Sequence, residues 1–171
     1  MTLGHEKIIL LSDTHGFLDD NIIRYFEEAD EVWHAGDIGS MEMIDRISAE
    51  YPLRAVWGNI DDQLMRRSIP EKLEFEIENF KVLMIHIAGK FGVYTPQVKS
   101  LIAQYSPDIL VCGHSHILKI VYDHKNSLLY LNPGAAGISG FHKVRTLVRF
   151  MLHDKKISDM QIIEIASVQK C

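Results

Sequence analysis

The sequence predicts an α/β protein built on more than one β-sheet. Three features predict it. The first two-thirds alternate short apolar runs with amphipathic stretches, the last third is nearly all strand-like, and polar residues of metal-binding type follow five buried runs in turn. Parallel strands from β-α-β units should lie inside, an antiparallel meander should extend or cover them, and helices should lie outside.

Taken in order, KIILLS (residues 7–12) reads as a buried strand and LDDNIIRYFEEA (18–29) as a helix, with Leu18, Ile22, Ile23, Tyr25 and Phe26 near helical spacing. EVWHA is a second strand. SMEMIDRISAEY is a second helix with Ser40 as N-cap, and LRAVW a third strand. In LEFEIENFKVLMIH, Leu73, Phe75 and Ile77 alternate with glutamates, so a half-exposed strand, an Asn79-centred turn and a buried partner strand (81–86) follow. TPQVKSLIAQYS is a helix capped by Thr95, with Pro96 at its first position. DILVCG is again a strand. LKIVYD, SLLYLN, KVRTLVRFML and KISDMQIIEIA complete the strand-rich end, with a turn over 153–156.

The chain has 171 residues, 47% of them hydrophobic, and nothing in it suggests a linker, so a single domain over 1–171 is expected. Net charge is −5, without a Lys/Arg-rich arm, which disfavours nucleic acid as a partner. Two cysteines, Cys112 in an apolar run and Cys171 at the end, point away from a disulfide framework and towards a reducing, cytoplasmic setting. The N-terminal apolar run, Ile8 to Leu11, is too short for a membrane span, and no membrane partner is expected.

The strand ends carry the chemistry. After IILL come Asp13 and His15; after VWHA, Asp37; after RAVW, Asn59 and Asp61; after KVLMI, His86; after DILVC, His114 and His116. Asp13 to Asp37, Asp37 to Asn59, Asn59 to His86 and His86 to His114 are separated by 24, 22, 27 and 28 positions, each about one strand plus crossover. A polar residue is therefore delivered to one sheet edge on nearly every pass, and that edge is where open α/β sheets place their sites. Taken alone, a histidine after a strand is more often a turn or surface residue, and Asp13, Asp37 and Asn59 each read acceptably as a turn or helix cap. Together, Asp13, His15, Asp37, Asn59, His86, His114 and His116 are too many for one four-coordinate zinc and suit two divalent transition-metal ions with a bridging carboxylate. Asp37 is the natural bridge, because its strand should lie centrally. His5, His124, His142 and His153 read as terminal or turn residues without function, and His34 as a neighbour of the site.

The segments DTH (13–15), GD (36–37), GN (58–59), His86 and GHSH (113–116), with YLNPGAAG (130–137), resemble the calcineurin-like metallophosphoesterase superfamily, most of all its small bacterial and archaeal single-domain phosphodiesterases. The resemblance spans about residues 7–163. It implies a four-layer α/β/β/α sandwich of two mixed β-sheets flanked by helices. It implies one ion on Asp13, His15, Asp37 and His116 and a second on Asp37, Asn59, His86 and His114, with manganese the first expectation and iron, zinc or nickel alternatives. The implied activity is hydrolysis of phosphodiester, or phosphomonoester, bonds of a small substrate by a hydroxide bridging the metals. Many superfamily phosphatases have a histidine after the GN asparagine; here Ile60 stands there, so proton donation to the leaving group falls to Asp61, to a metal-bound water or to nothing. Asn59 and Asp61 are thus the expected catalytic residues. The glycine common after the site histidine is displaced to Gly89 by Ile87 and Ala88. Two other roles known among relatives stand beside hydrolysis: a non-catalytic protein-binding scaffold, as in a subunit of the eukaryotic retromer coat, and a nuclease. Exposed strands in the second half leave a homo-oligomer open.

Overall fold

The computed structural model describes residues 4–166. The first half runs β1 (Glu6–Leu11), α1 (Asp20–Phe26), β2 (Glu31–His34), α2 (Met41–Ser48), β3 (Leu53–Ala55), α3 (Gln63–Ser68), β4 (Lys72–Ile77) and β5 (Phe80–Ile85). There follow β6 (Gly89–Lys90), β7 (Val93–Tyr94), α4 (Pro96–Tyr105), β8 (Ile109–Val111), β9 (Leu118–Asp123), β10 (Leu128–Pro133), β11 (Arg145–His153) and β12 (Lys156–Ile165). One sheet has the order β12-β11-β1-β2-β3 and the other β4-β5-β8-β10-β9. Each is mixed: β1, β2 and β3 are parallel, as are β5, β8 and β10, while β11, β12, β4 and β9 pair antiparallel.

The layering follows from which residues each strand buries on which face. In β1, Ile8 and Leu10 point between the sheets, where they meet Trp33, Val82, Met84, Val111, Leu131 and Phe150. Ile9 and Leu11 point the other way and pack under Ile22 and Phe26 of α1 and Met43 and Ile47 of α2. On the far side, Leu83, Leu110 and Tyr130 meet Val98, Leu101 and Ile102 of α4. Because β1 buries both faces, its sequence is continuously apolar rather than alternating. This is the α/β/β/α sandwich of two mixed sheets that the sequence implied.

The expected helix caps are present. Ser40 accepts from Met43 N–H and Thr95 from Val98 N–H, and Pro96 opens α4. Glu78 and Asn79 both have positive φ, forming the two-residue turn that joins β4 to β5, and Asp154 and Lys155 do the same between β11 and β12. The two turns bind each other: Lys155 N–H donates to Glu78 O and Asn79 Nδ2 to Asp154 Oδ1. They hold the two sheets together at the end remote from the strand-end residues. Two elements were not expected, α3 and the small β6-β7 hairpin. The strand expected over 53–57 stops at Ala55, because the Trp57 N–H leaves the sheet for Pro70 O, 3.0 Å away. Among the described residues, no helix is long and apolar enough to cross a membrane.

Candidate metal centre

The carboxyl ends of β1, β2 and β3 meet those of β5 and β8 at one rim of the sandwich. The loop after β1 runs as a ladder beside the loop after β2: Asp13 N–H donates to Gly36 O, His15 N–H to Asp37 O and Gly16 N–H to Ile38 O, at 3.0, 3.0 and 2.7 Å. The second sheet is tied in by His86, whose Nδ1–H donates to Ala35 O at 2.7 Å, and by the His114 N–H, which donates to Asp13 Oδ2 at 3.1 Å. A side chain at Gly113 would strike Ser12 and Asp13, and one at Gly58 would strike Asp37, so these positions need glycine to let the loops approach.

Two sets of donors result. Asp13, His15 and His116 have ligand atoms within 4.8 Å of one another, and so do Asp37, His86 and His114. His116 Nε2 lies 3.2 Å from Asp13 Oδ1, His15 Nε2 3.5 Å from Asp37 Oδ2, His86 Nε2 3.3 Å from Asp37 Oδ1, and His114 Nδ1 2.9 Å from Asn59 Oδ1. Ligand atoms about 2.1 Å from one ion and at right angles to each other lie about 3 Å apart, so these separations fit the edges of coordination polyhedra. The buried Asp13 Oδ1, His15 Nε2 and His86 Nε2 have no hydrogen-bond partner. A buried polar atom without a partner is costly, and a cation at the cluster removes that cost for all three at once. The residues therefore fit divalent metal. Asp37 turns one oxygen towards each set.

Electrostatics agree. Burial pushes the Asp13 carboxyl up, but the adjoining His116 and His86 imidazoles outweigh it and hold it below its ordinary range. Burial likewise raises Asp37, while His86 and the Ile60 N–H, 3.0 Å from Oδ1, pull it down. Both carboxylates are thus ionised at neutral pH although Asp13 is fully buried and Asp37 is 2% exposed. In their field, His86 is raised against its own burial, and His116 is raised chiefly by Asp13.

Five of the seven residues expected as ligands, namely Asp13, His15, Asp37, His114 and His116, have positive φ between 48° and 71°. Left-handed backbone at non-glycine residues costs of order 1–3 kcal/mol each and gathers at functional sites. Here it turns successive side chains inward from strand exits. The loop ladder and the inter-sheet bonds hold it in place.

Asp61, expected from sequence as a catalytic residue, is placed as a loop anchor. Its carboxylate is buried and fully taken up as an acceptor, from Gly58 N–H at 2.7 Å, Gly39 N–H at 2.8 Å and Ile38 N–H at 3.2 Å. It pins the loop bearing Asn59 to the loop bearing Asp37. Arg66 supports the same loop by donating to Asp61 O and Asn59 O. His142, read from sequence as inert, lies against a site residue. Its Nε2–H donates to Gly137 O at 2.8 Å, and its Nδ1 lies 3.2 Å from His116 Nδ1; when His116 carries a single proton on Nδ1 and donates it there, its Nε2 lone pair is free for a metal. His34 is a neighbour of the site, as expected. It accepts from Gly36 N–H through Nδ1 and donates through Nε2 to Thr14 Oγ1, which donates to Ile38 O. Complete burial lowers its pKa to about 3, so it stays neutral. Asn132, in the Asn-Pro-Gly segment, donates to Gly113 O and Ser115 Oγ and steadies the GHSH loop. His153 lies at the remote end and accepts no such role; its ring bonds Gly4 O.

The family model described as the calcineurin-like phosphoesterase superfamily domain matches residues 7–155. The chain belongs to that superfamily. Calcineurin-like phosphoesterases are hydrolases that use divalent metals, and the two donor sets above are candidate metal-binding groups. A probable metallophosphoesterase of Methanothermobacter thermautotrophicus is 28% identical over 131 residues, 74% of each chain. Among solved structures, an archaeal phosphodiesterase aligns with TM-score 0.70 at 22% identity, over 93% of this chain and 99% of that one. Wild-type Vps29 of Entamoeba histolytica, complexed with Zn2+, aligns with TM-score 0.68 at 17% identity, over 92% and 98%. At these identities the two structures speak for the calcineurin-like fold alone.

Proposed function

We propose that the chain is a phosphodiesterase working through two divalent metal ions, one on Asp13, His15, Asp37 and His116, the other on Asp37, Asn59, His86 and His114. The observation that carries this reading is Asp37, with Oδ2 facing His15 and Oδ1 facing His86. When bound, such a pair of ions supplies Lewis acidity that lowers the pKa of water and polarises a phosphoryl oxygen.

The chain's own residues prepare for it. His86 keeps its proton on Nδ1, held by Ala35 O, and offers Nε2. His142 does the same for His116. Asn59 turns Oδ1 towards His114 and keeps its amide N–H groups for a phosphoryl oxygen. Ile60, 44% exposed, presents its backbone N–H to Asp37 and cannot titrate. Since Asp61 is also committed as an acceptor, neither residue protonates the departing oxygen. Diesters with good leaving groups are the substrates this arrangement serves. General acid help is worth about 10²–10⁴-fold, so aryl diesters should outrun alkyl diesters by at least ~10².

Hydrolysis of bis-p-nitrophenyl phosphate tests the proposal, with manganese as the first ion and iron, zinc and nickel as further arms. Metal-dependent turnover that Asp37→Asn abolishes is expected. No turnover with any of the four ions would overturn the enzymatic reading and favour a protein-binding role for this fold.

A further inference from the structure

Three hollows adjoin the metal-binding groups, and they differ in what they can hold. The hollow beside Asn59 and His86 measures about 370 Å³. Its aromatic surface is already spent, since Arg66 lies over the Trp57 ring at 4.3 Å and is itself committed to two backbone carbonyls. The Glu71 carboxylate on its wall opposes an anion. A second hollow of about 440 Å³ lies against His116, Phe141 and His142, whose imidazoles are bonded to each other. The third, about 630 Å³, opens directly from His114 and lies between the β6-β7 hairpin and the Gly113–Lys119 segment.

The third hollow is built as an aromatic slot. Ile87 and Ile117 form apolar, exposed walls. Phe91, at the hairpin tip, is braced edge-to-face by the buried Tyr130 with ring centroids 5.5 Å apart, and Tyr130 in turn stacks on Tyr94. Lys119 lies over one face of the Phe91 ring, its ammonium 5.1 Å from the centroid, without the backbone hydrogen bonds that fix Arg66 over Trp57, and Lys90 stands on the same wall. The slot thus offers a braced aromatic ring, aliphatic walls and a movable positive charge, with the candidate metal ligand His114 in its lining. Its volume lies within the range of small-molecule sites and far exceeds what a bare phosphate fills.

We infer that this slot seats a planar aromatic substituent of the phosphoester substrate against Phe91, with Lys119 pairing to the substrate's negative charge. The inference rests on the phosphoesterase reading and adds the substrate class. Aryl esters and nucleotides share the required chemistry.

The test uses the full chain loaded with Zn2+, which is diamagnetic, and three probes: phenyl phosphate, thymidine 5′-monophosphate and methyl phosphate. Binding is followed by NMR at the Phe91 ring and the Ile117 δ1 methyl. Both aromatic probes should shift these signals and bind at least ~5-fold more tightly than methyl phosphate, since stacking on one aromatic side chain is worth about that or more. The tighter of the two aromatic probes identifies the source of the ring. Phe91→Leu keeps the apolar contact with Tyr130 but loses the aromatic face; it should erase the preference without weakening methyl phosphate. Lys119→Gln should weaken all three probes alike. Equal binding of methyl phosphate, shifts centred on Trp57, or an unchanged preference in Phe91→Leu would overturn the slot. Metal-dependent diester hydrolysis together with shifts at Trp57 removes only this inference. Intact Phe91 shifts without hydrolysis by any ion removes the enzymatic reading instead.

Discussion

A histidine holds a metal well only if its second nitrogen is fixed, because the tautomer decides which lone pair is free. His86 meets this need through a backbone carbonyl, His116 through another histidine. His142→Ala leaves His116 Nδ1 without its acceptor, and the proton is then free to move to Nε2, where it blocks the lone pair. The expected result is a ~10–100-fold loss of affinity at the Asp13/His15/His116 group, with a matching fall in activity. His142→Gln restores an acceptor oxygen and should recover part of it. Competition against a chromophoric chelator measures both; affinity within twofold of wild type in the alanine variant would show that the pair is structural only. Nothing in the sequence marks His142 for this task. Its position depends on Gly140, whose φ of +128° brings the loop onto His116 so closely that a side chain there would strike the imidazole. By contrast, His86, His114 and the aspartates were legible, because a strand end fixes where the next side chain goes.

At the level of elements, α1 and β11 are joined by one ion pair that does two jobs. Asp19 caps α1 through the Ile22 N–H and receives the buried Arg145 through both guanidinium nitrogens at 3.1 Å. Arg145 also lies over Phe17. Asp19→Ala removes the cap and strands a charge that is 2% exposed. A loss of about 3–5 kcal/mol is expected, read by urea unfolding. Burial raises the Asp19 carboxyl, but the hydrogen bonds from Arg145 outweigh it and hold it below the ordinary 3.8. A carboxylate depressed in the folded state stabilises it above the unfolded pKa and loses that contribution as pH falls through the folded value. The stability gap between wild type and Asp19→Asn should therefore be full above about pH 5 and shrink as pH drops below 3.8. A gap independent of pH would mean the charge on Asp19 contributes nothing. Caps such as Ser40 and Thr95 could be read from sequence because they precede periodic runs. The helix α3 could not: it has six residues and buries only Met65. The β6-β7 hairpin has two residues per strand. Neither is long enough for a period to show.

Across the whole molecule, local pattern announces strands but not which sheet receives them. The strand β11 lies next to β1, more than 130 residues away, with β12 outside it, while β8 and β10 join β4, β5 and β9 in the other sheet. That partition depends on which faces bury together; the family resemblance implied two sheets but not which strands enter each. The site edge was legible for a topological reason: parallel strands deliver their carboxyl ends to one side whatever sheet they join. The consequence is mechanical. The loops after β1, β2 and β3 come from one sheet and those after β5 and β8 from the other, so ions bound as proposed would cross-link the sandwich at the rim, opposite the paired turns Glu78–Asn79 and Asp154–Lys155. An ion that binds only the folded chain stabilises it by about 2.7 kcal/mol at a hundredfold excess over Kd, hence ~5 kcal/mol for two. In a chain of this size each kcal/mol moves Tm by about 2–4 °C. Stripping the metal with a chelator should lower Tm by ~10–20 °C in calorimetry, and Mn2+ should restore it. Asp37→Asn, which touches both donor sets, should lose most of the metal-dependent shift, whereas His114→Ala, which touches one, should keep about half. Equal shifts in the two variants would argue against Asp37 as the shared ligand, and a Tm indifferent to both chelator and Mn2+ would argue against resident metal altogether.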